Sequence, residues 1–139
     1  MTTTPHVKDR ETYIKQIKIP VTIFNNEKLT PLETIIKFLK ENEQLRFTEI
    51  SKLIGREQRS VNMMYRAANK KIPQQLPIIK TTTTIPAKQL ADERYTVAEH
   101  VVKHLKEHYK LTHHQIAVLM RRNDRTIWTL YNRTTKRNK

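Results

Sequence analysis

The chain has no cysteine, a single glycine and few aromatic residues, 6 % of its 139 positions. Without Cys, disulfides and thiolate metal sites are excluded. One Gly leaves no glycine-rich loop to cradle a nucleotide phosphate, and no carboxylate cluster is spaced for a pair of metals. No apolar run approaches the roughly 18 residues of a membrane span. The opening MTTTPH lacks the apolar core of a secretory signal. The scarcity of aromatics also argues against a stacking platform for single-stranded RNA. These absences predict a non-enzymatic cytoplasmic protein with no cofactor, no metal, no small-molecule substrate and no membrane partner.

What the chain has in excess is positive charge. Lys and Arg number 27 against 13 Asp and Glu, a net charge of +14, and the pI is near 10.2. Solubility alone needs a net charge of only about 2 to 8 in a small domain. A pI above about 9 is an electrostatic footprint of nucleic-acid binding.

A shift of 66 residues lays 19–71 over 85–137 without a gap, with about sixteen identities. They include Ile19/Ile85, Pro20/Pro86, Glu27/Glu93, Thr30/Thr96, Glu33/Glu99, Leu39/Leu105, Leu45/Leu111, Ile50/Ile116, Leu53/Leu119, Arg56/Arg122, Arg59/Arg125 and Tyr65/Tyr131. Chance similarity between helices would not hold register through the turns, so the chain is a duplication. Residues 1–18 form an N-terminal arm, 19–71 a first module, 72–84 a linker and 85–139 a second module. The arm's 13–19 stretch suits a strand or a helix equally. The linker carries Pro73, Pro77 and four consecutive Thr, which favour an extended tether. Charge differs between the copies: ten Lys and Arg against six acids in 19–71, and twelve against five in 85–139.

Each copy opens on Ile-Pro and an irregular stretch, then a capping box, Thr30-Pro31-Leu32-Glu33 or Thr96-Val97-Ala98-Glu99. The Thr hydroxyl accepts from the third helical N–H and the Glu reaches back to the cap. Apolar residues follow at helical spacing, Leu32, Ile35, Ile36 and Leu39 in one copy and Ala98, Val101, Val102, Leu105 and Tyr109 in the other. Two further helices are predicted in each copy, at 47–54 and 58–70, and at 113–120 and 124–136.

Within 47–66, Ile50, Ser51, Ile54, Gly55, Val61 and Met64 fall at the fourth, fifth, eighth, ninth, fifteenth and eighteenth positions. In this pattern the segment resembles the helix-turn-helix family of DNA-binding modules, which places apolar, small, apolar, Gly, β-branched and apolar residues there. The only Gly falls where a tight turn needs positive φ. The second copy supplies Ile116, Ala117, Met120, Ile127 and Leu130 but has Arg121 in place of Gly. A non-Gly residue in a left-handed turn costs about 1 kcal/mol. Asn123 offsets part of this as a strong N-cap, where Glu57 is a weak one. The wording from Ile116 to Trp128 is also similar to the promoter-reading fourth region of bacterial sigma factors. The resemblance covers about 40 residues of each copy.

This resemblance implies an all-α fold of two tandem three-helix modules joined by the extended linker. It implies a prokaryotic or viral double-stranded DNA-binding protein, a transcription regulator or a low-specificity nucleoid protein. The other reading is a sigma-like interaction module that contacts transcription machinery. Base readers are expected at the first, second and sixth positions of the second helix: Gln58, Arg59 and Met63, and Asp124, Arg125 and Thr129. Arg holds guanine O6 and N7, and Gln holds adenine N6 and N7. Arg46, Lys52, Arg56, Arg66, Arg121, Arg122 and Arg133 are expected on phosphates, where they position without specifying. The competing role for Arg59 and Arg125 is a surface pair with Glu57 or Asp124, and for the phosphate set an ordinary solvated face. Trp128 is expected to pack on a neighbouring helix rather than meet a base or sugar. His100, His104 and His108 recur at i, i+4, i+8, but no third ligand type completes a zinc motif, so a solvated, pH-responsive surface is expected. Tyr65 and Tyr131 are expected as core ends with polar tips. Two heads about 34 Å apart would span one helical turn, a distance a 13-residue linker covers at about 3.3 Å per residue. Self-association along the duplex is compatible with either role.

Overall fold

In the computed structural model, residues 7–137 are described; residues 1–6 of the expected arm and 138–139 of the second copy lie outside them. The chain is mostly helical. Helix α1 (Val7–Lys15) leads into strand β1 (Lys18–Pro20) and a 3₁₀ turn, Val21–Phe24. Helices α2 (Pro31–Lys37), α3 (Phe47–Ile54) and α4 (Gln58–Lys71) follow. The second copy repeats the order with β2 (Thr84–Pro86), a 3₁₀ turn at Ala87–Ala91, α5 (Val97–Glu107), α6 (His113–Met120) and α7 (Asp124–Arg137).

Local chemistry sets the boundaries. Both expected capping boxes form, with Thr30 and Thr96 accepting from the N–H groups of Glu33 and Glu99 and each Glu accepting from its cap N–H. A third box, Thr112 with Gln115, opens α6. Helix α2 runs on through a π-helical turn, Phe38–Asn42, that α5 does not share. Both helices nevertheless leave through a left-handed residue at the same repeat position, Gln44 (φ 56°) and Lys110 (φ 59°). The N–H of the next residue then closes on the helix, Leu45 to Leu39 O and Leu111 to Leu105 O.

The expectation of an all-α chain is corrected by a small antiparallel pair, β1 with β2, in which Ile19 stands opposite Ile85. The two Ile-Pro dipeptides therefore meet, and both isoleucines are fully buried. Flanking hydrogen bonds run from Val21 N–H to Thr83 O (3.1 Å) and from Ala87 N–H to Ile17 O (3.0 Å). A shift of 66 turns each of these bonds into the other.

The expectation of separate heads is also corrected. One continuous core takes in Ile19, Ile35, Leu39, Ile50 and Val61 from the first copy and Ile85, Val101, Leu105, Ile116 and Ile127 from the second. The copies exchange segments: the Val21–Phe24 turn packs on α6, and the Ala87–Ala91 turn packs on α3. Equivalent helices α2 and α5 pack on each other between them. An interface in which each copy presents the same patch to the other is the isologous kind that a two-fold axis produces.

Nor is 72–84 a free tether. Leu76 is buried and its carbonyl accepts from Asn42 (3.4 Å). Ile79 O accepts from the Thr22 hydroxyl (2.9 Å), and the Tyr109 hydroxyl meets Thr82 O and Thr84 O. The described part of the arm, which sequence left between strand and helix, supplies one of each. Arg10 of α1 grips the Glu49 carboxylate with two donors at 2.6 and 2.8 Å, and this bond holds the Glu49 carboxyl down at about 2. The Tyr13 hydroxyl donates to Glu43, which pushes its own pKa up to about 12.

Candidate nucleic-acid interface

In each copy a short helix, a left-handed turn and a long helix hold the charged side chains of interest. The first turn is Gly55, at φ 64° and ψ 39°, and the second is Arg121, at φ 53° and ψ 47°. Asn123 caps α7 through a bond from Thr126 N–H to its side-chain oxygen (2.7 Å), whereas Glu57 makes no such bond to α4. At the small residues Ser51 and Ala117 the backbone carbonyls accept from the N–H groups of Arg56 and Arg122 just past the turn, and the Ser51 hydroxyl donates to Arg56 O.

The long helices divide cleanly into an inner and an outer face. Val61 and Ile127 are fully buried, with Met64, Tyr65, Leu130 and Tyr131 packed against the core behind them. Opposite, Gln58, Arg59 and Met63 of α4 and Asp124 and Arg125 of α7 are exposed. Met63 is 63 % exposed, unusual for so apolar a side chain. Thr129 is half-buried and its hydroxyl donates to Arg125 O (2.9 Å). Neither Arg59 nor Arg125 has a guanidinium partner among the described residues, so neither is held by Glu57 or Asp124. Asp124 instead accepts from His114 Nδ1 at 3.1 Å.

The basic residues expected on phosphates separate into two groups. Arg46, Lys52, Arg66 and Arg133 are exposed. Arg121 is exposed too, 3.6 Å from Glu27 across the copies. Arg122 is not available in the same way, which corrects its assignment. Its guanidinium donates to Asn26 O (3.0 Å) and Leu29 O (2.9 Å) of the first copy, and to Met120 O and Arg121 O of its own. It latches the copies together. Arg56, its repeat equivalent, turns back to Ile54 O and Gly55 O at 3.2 and 3.4 Å, beside an open hollow lined by Glu57, Glu93, Arg94 and Tyr95.

Trp128 is 55 % exposed on α7, so the expected packing against a neighbouring helix does not occur. The histidines are not a solvated row either. His100 is buried and its Nε2–H donates to Asp92 O (2.7 Å). His104 is half-buried, donates to Thr84 O (2.9 Å) and stacks on exposed His108 at 4.8 Å. Desolvation lowers the His104 pKa. Among the described residues no group of three potential ligands gathers to hold a metal ion, and no helix is long and apolar enough to cross a membrane.

Both tyrosines are core ends with polar tips, as expected, and each belongs to a triad that sequence reasoning missed. Tyr65 donates to Glu41 (2.7 Å), which pairs with Lys37 (2.8 Å). Tyr131 donates to Glu107 (3.0 Å), which pairs with Lys103 (2.6 Å). The signal was present: Lys and Glu at i, i+4 are identical in both copies, as is the Tyr. These triads brace each long helix against the capped first helix of its copy, α4 against α2 and its π-helical turn and α7 against α5.

No family model, no curated protein and no solved structure matches the chain.

Proposed function

We propose that this is a double-stranded DNA-binding protein whose two copies are helix-turn-helix heads, serving as a transcription regulator or a low-specificity nucleoid protein. The observation that carries this is the placement of Arg59 and Arg125. They occupy equivalent positions in the first turn of α4 and α7, exposed and without partners among the described residues, above fully buried Val61 and Ile127. An unpaired guanidinium at a helix's leading end has the reach and donor geometry to hold a guanine edge in the major groove. The net charge of +14 supplies the long-range attraction to phosphate.

Anisotropy of a labelled duplex, titrated with protein at several salt concentrations, tests this. Binding should weaken linearly in log salt, with a slope of about −0.9 per phosphate neutralised. Arg59→Ala and Arg125→Ala should each weaken binding to a preferred sequence by about 1 to 3 kcal/mol. Salt-independent binding, or none in dilute buffer, would contradict the proposal.

A second reading, contact with transcription machinery, is favoured by Trp128 and Val118. These are exposed at 55 % and 61 % in the second copy, where the first has Asn62 and Lys52. Exposed aromatics are enriched among residues that dominate protein interfaces. Under that reading Trp128→Ala leaves duplex binding intact and abolishes capture of purified RNA polymerase.

A further inference from the structure

We propose that the single chain acts as an internal pseudodimer that recognises an inverted pair of unlike half-sites on one duplex, in one fixed orientation. This rests on the DNA-binding reading above and names the class of target for it.

A duplication on a loose tether would leave the two heads free to read direct or inverted half-sites alike. The contacts between the copies remove that freedom. In the β1–β2 pair the central residues, Ile19 and Ile85, are repeat equivalents, and the outer pairs Lys18–Pro86 and Pro20–Thr84 exchange under the 66-residue shift. The flanking bonds Val21 to Thr83 and Ala87 to Ile17 exchange in the same way. So do the packed segments, Val21–Phe24 on α6 and Ala87–Ala91 on α3, while α2 and α5 meet as equivalents. Head-to-tail stacking would instead leave one copy's 3₁₀ turn and the other copy's short helix without a partner. These backbone pairings and packed segments are all mutual, although side-chain contacts such as the Arg122 latch have no counterpart at Arg56, so the heads are related by an approximate half-turn.

A duplex has two-fold axes perpendicular to its length, and heads related by a half-turn meet like base edges only where half-sites are inverted. The reading positions then set what the halves share. Arg59 and Arg125 are equivalent, so each half carries a guanine, on opposite strands. The neighbours differ. Gln58 offers the donor and acceptor that match adenine, while Asp124 offers only acceptors, which suit cytosine N4. Met63 and Thr129 differ again at the sixth position. Unlike halves give the complex a single direction along the DNA.

The test is selection from a duplex library with 30 random base pairs, using the full chain at physiological salt, followed by sequencing. Two inverted half-sites should emerge, about 10 bp centre to centre. Arg59→Ala should relax the guanine preference in one half and Arg125→Ala in the other, on opposite sides of the dyad. Circular dichroism melts matching wild type would show that both variants fold. Direct half-sites, a lone half-site, both variants relaxing the same half, or retained DNA with no shared motif would overturn the inference while leaving duplex binding in place. Failure to retain any duplex, even in dilute salt, would instead sink the DNA-binding reading itself.

Discussion

At the first turn, a Cβ added to Gly55 would stand 3.1 Å from Ala91 O and 3.2 Å from Ala91 Cα. At the second, Arg121 carries a full side chain in the same left-handed conformation, and its guanidinium faces Glu27. The residue equivalent to Ala91 is Asn25, which donates to Leu119 O at 3.0 Å. The family pattern explains Gly55 by its φ alone, yet the second copy shows that this backbone conformation tolerates Arg. What makes Gly necessary at the first turn is the close approach of the other copy's backbone. The turns are alike in dihedral angle and different in what presses on them.

The largest effect should come from exchanging these residues. Gly55→Ala should cost about 2 to 3 kcal/mol, from the left-handed conformation together with the crowding at Ala91. Arg121→Gly should stay within about 1 kcal/mol of wild type, because relief of the left-handed residue is offset by greater freedom in the unfolded chain. Urea denaturation measures both, and equal costs at the two turns would break the comparison.

The next contrast lies between Arg56 and Arg122, identical in sequence and different in use. Arg122→Met strips the partners from Asn26 O and Leu29 O, at about 1 to 3 kcal/mol. Arg56→Met should cost less than about 1 kcal/mol, since its bonds are long and local. The DNA readout should invert: Arg56→Met lowers the salt slope by about one phosphate, and Arg122→Met does not. A slope that falls only with Arg122→Met would return that residue to the surface role that its sequence suggested.

The smallest effect concerns pH. His104 stands where the first copy has Phe38, in contact with the His108 and Tyr109 rings and with Thr84 O. Burial depresses its folded pKa below 6.5, so the unfolded chain takes up the proton more readily. The stability it contributes is therefore complete above about pH 6.5 and is lost as pH falls through the folded value. His104→Phe should narrow the difference between melting temperatures at pH 7.5 and 5.5. An unchanged difference would move the sensitivity to another group.

Much of the local architecture was legible because its causes are local. Capping boxes, the i, i+3, i+4 stripes, the lone Gly and the Asn123 cap are written within a few residues of the structures they produce, and the short helices fall at the expected bounds. The exposed arginines of α4 and α7 followed from the same periodicity. What escaped was long-range. Strands of three residues, paired 66 positions apart, carry too little pattern to be seen. His100 and His104 look solvated until Asp92 O and Thr84 O arrive from other segments. Arg122 looks like a phosphate ligand until the first copy's carbonyls surround it. Lys37, fully buried with Glu41 and Asn69 at 2.8 and 3.1 Å, is a charge no composition rule would place in a core.

The exchanged 3₁₀ turns have a consequence for how the molecule comes to exist. When the first copy has left the ribosome, the surface of α3 that receives Ala87–Ala91 is still bare, since its cover has yet to be synthesised. Contacts of such high sequence separation slow folding, because a long loop must close before they form. The first copy therefore cannot complete its share of the core until the second has been translated. Bringing both copies in one polypeptide makes that meeting unimolecular, independent of how scarce the protein is in the cell.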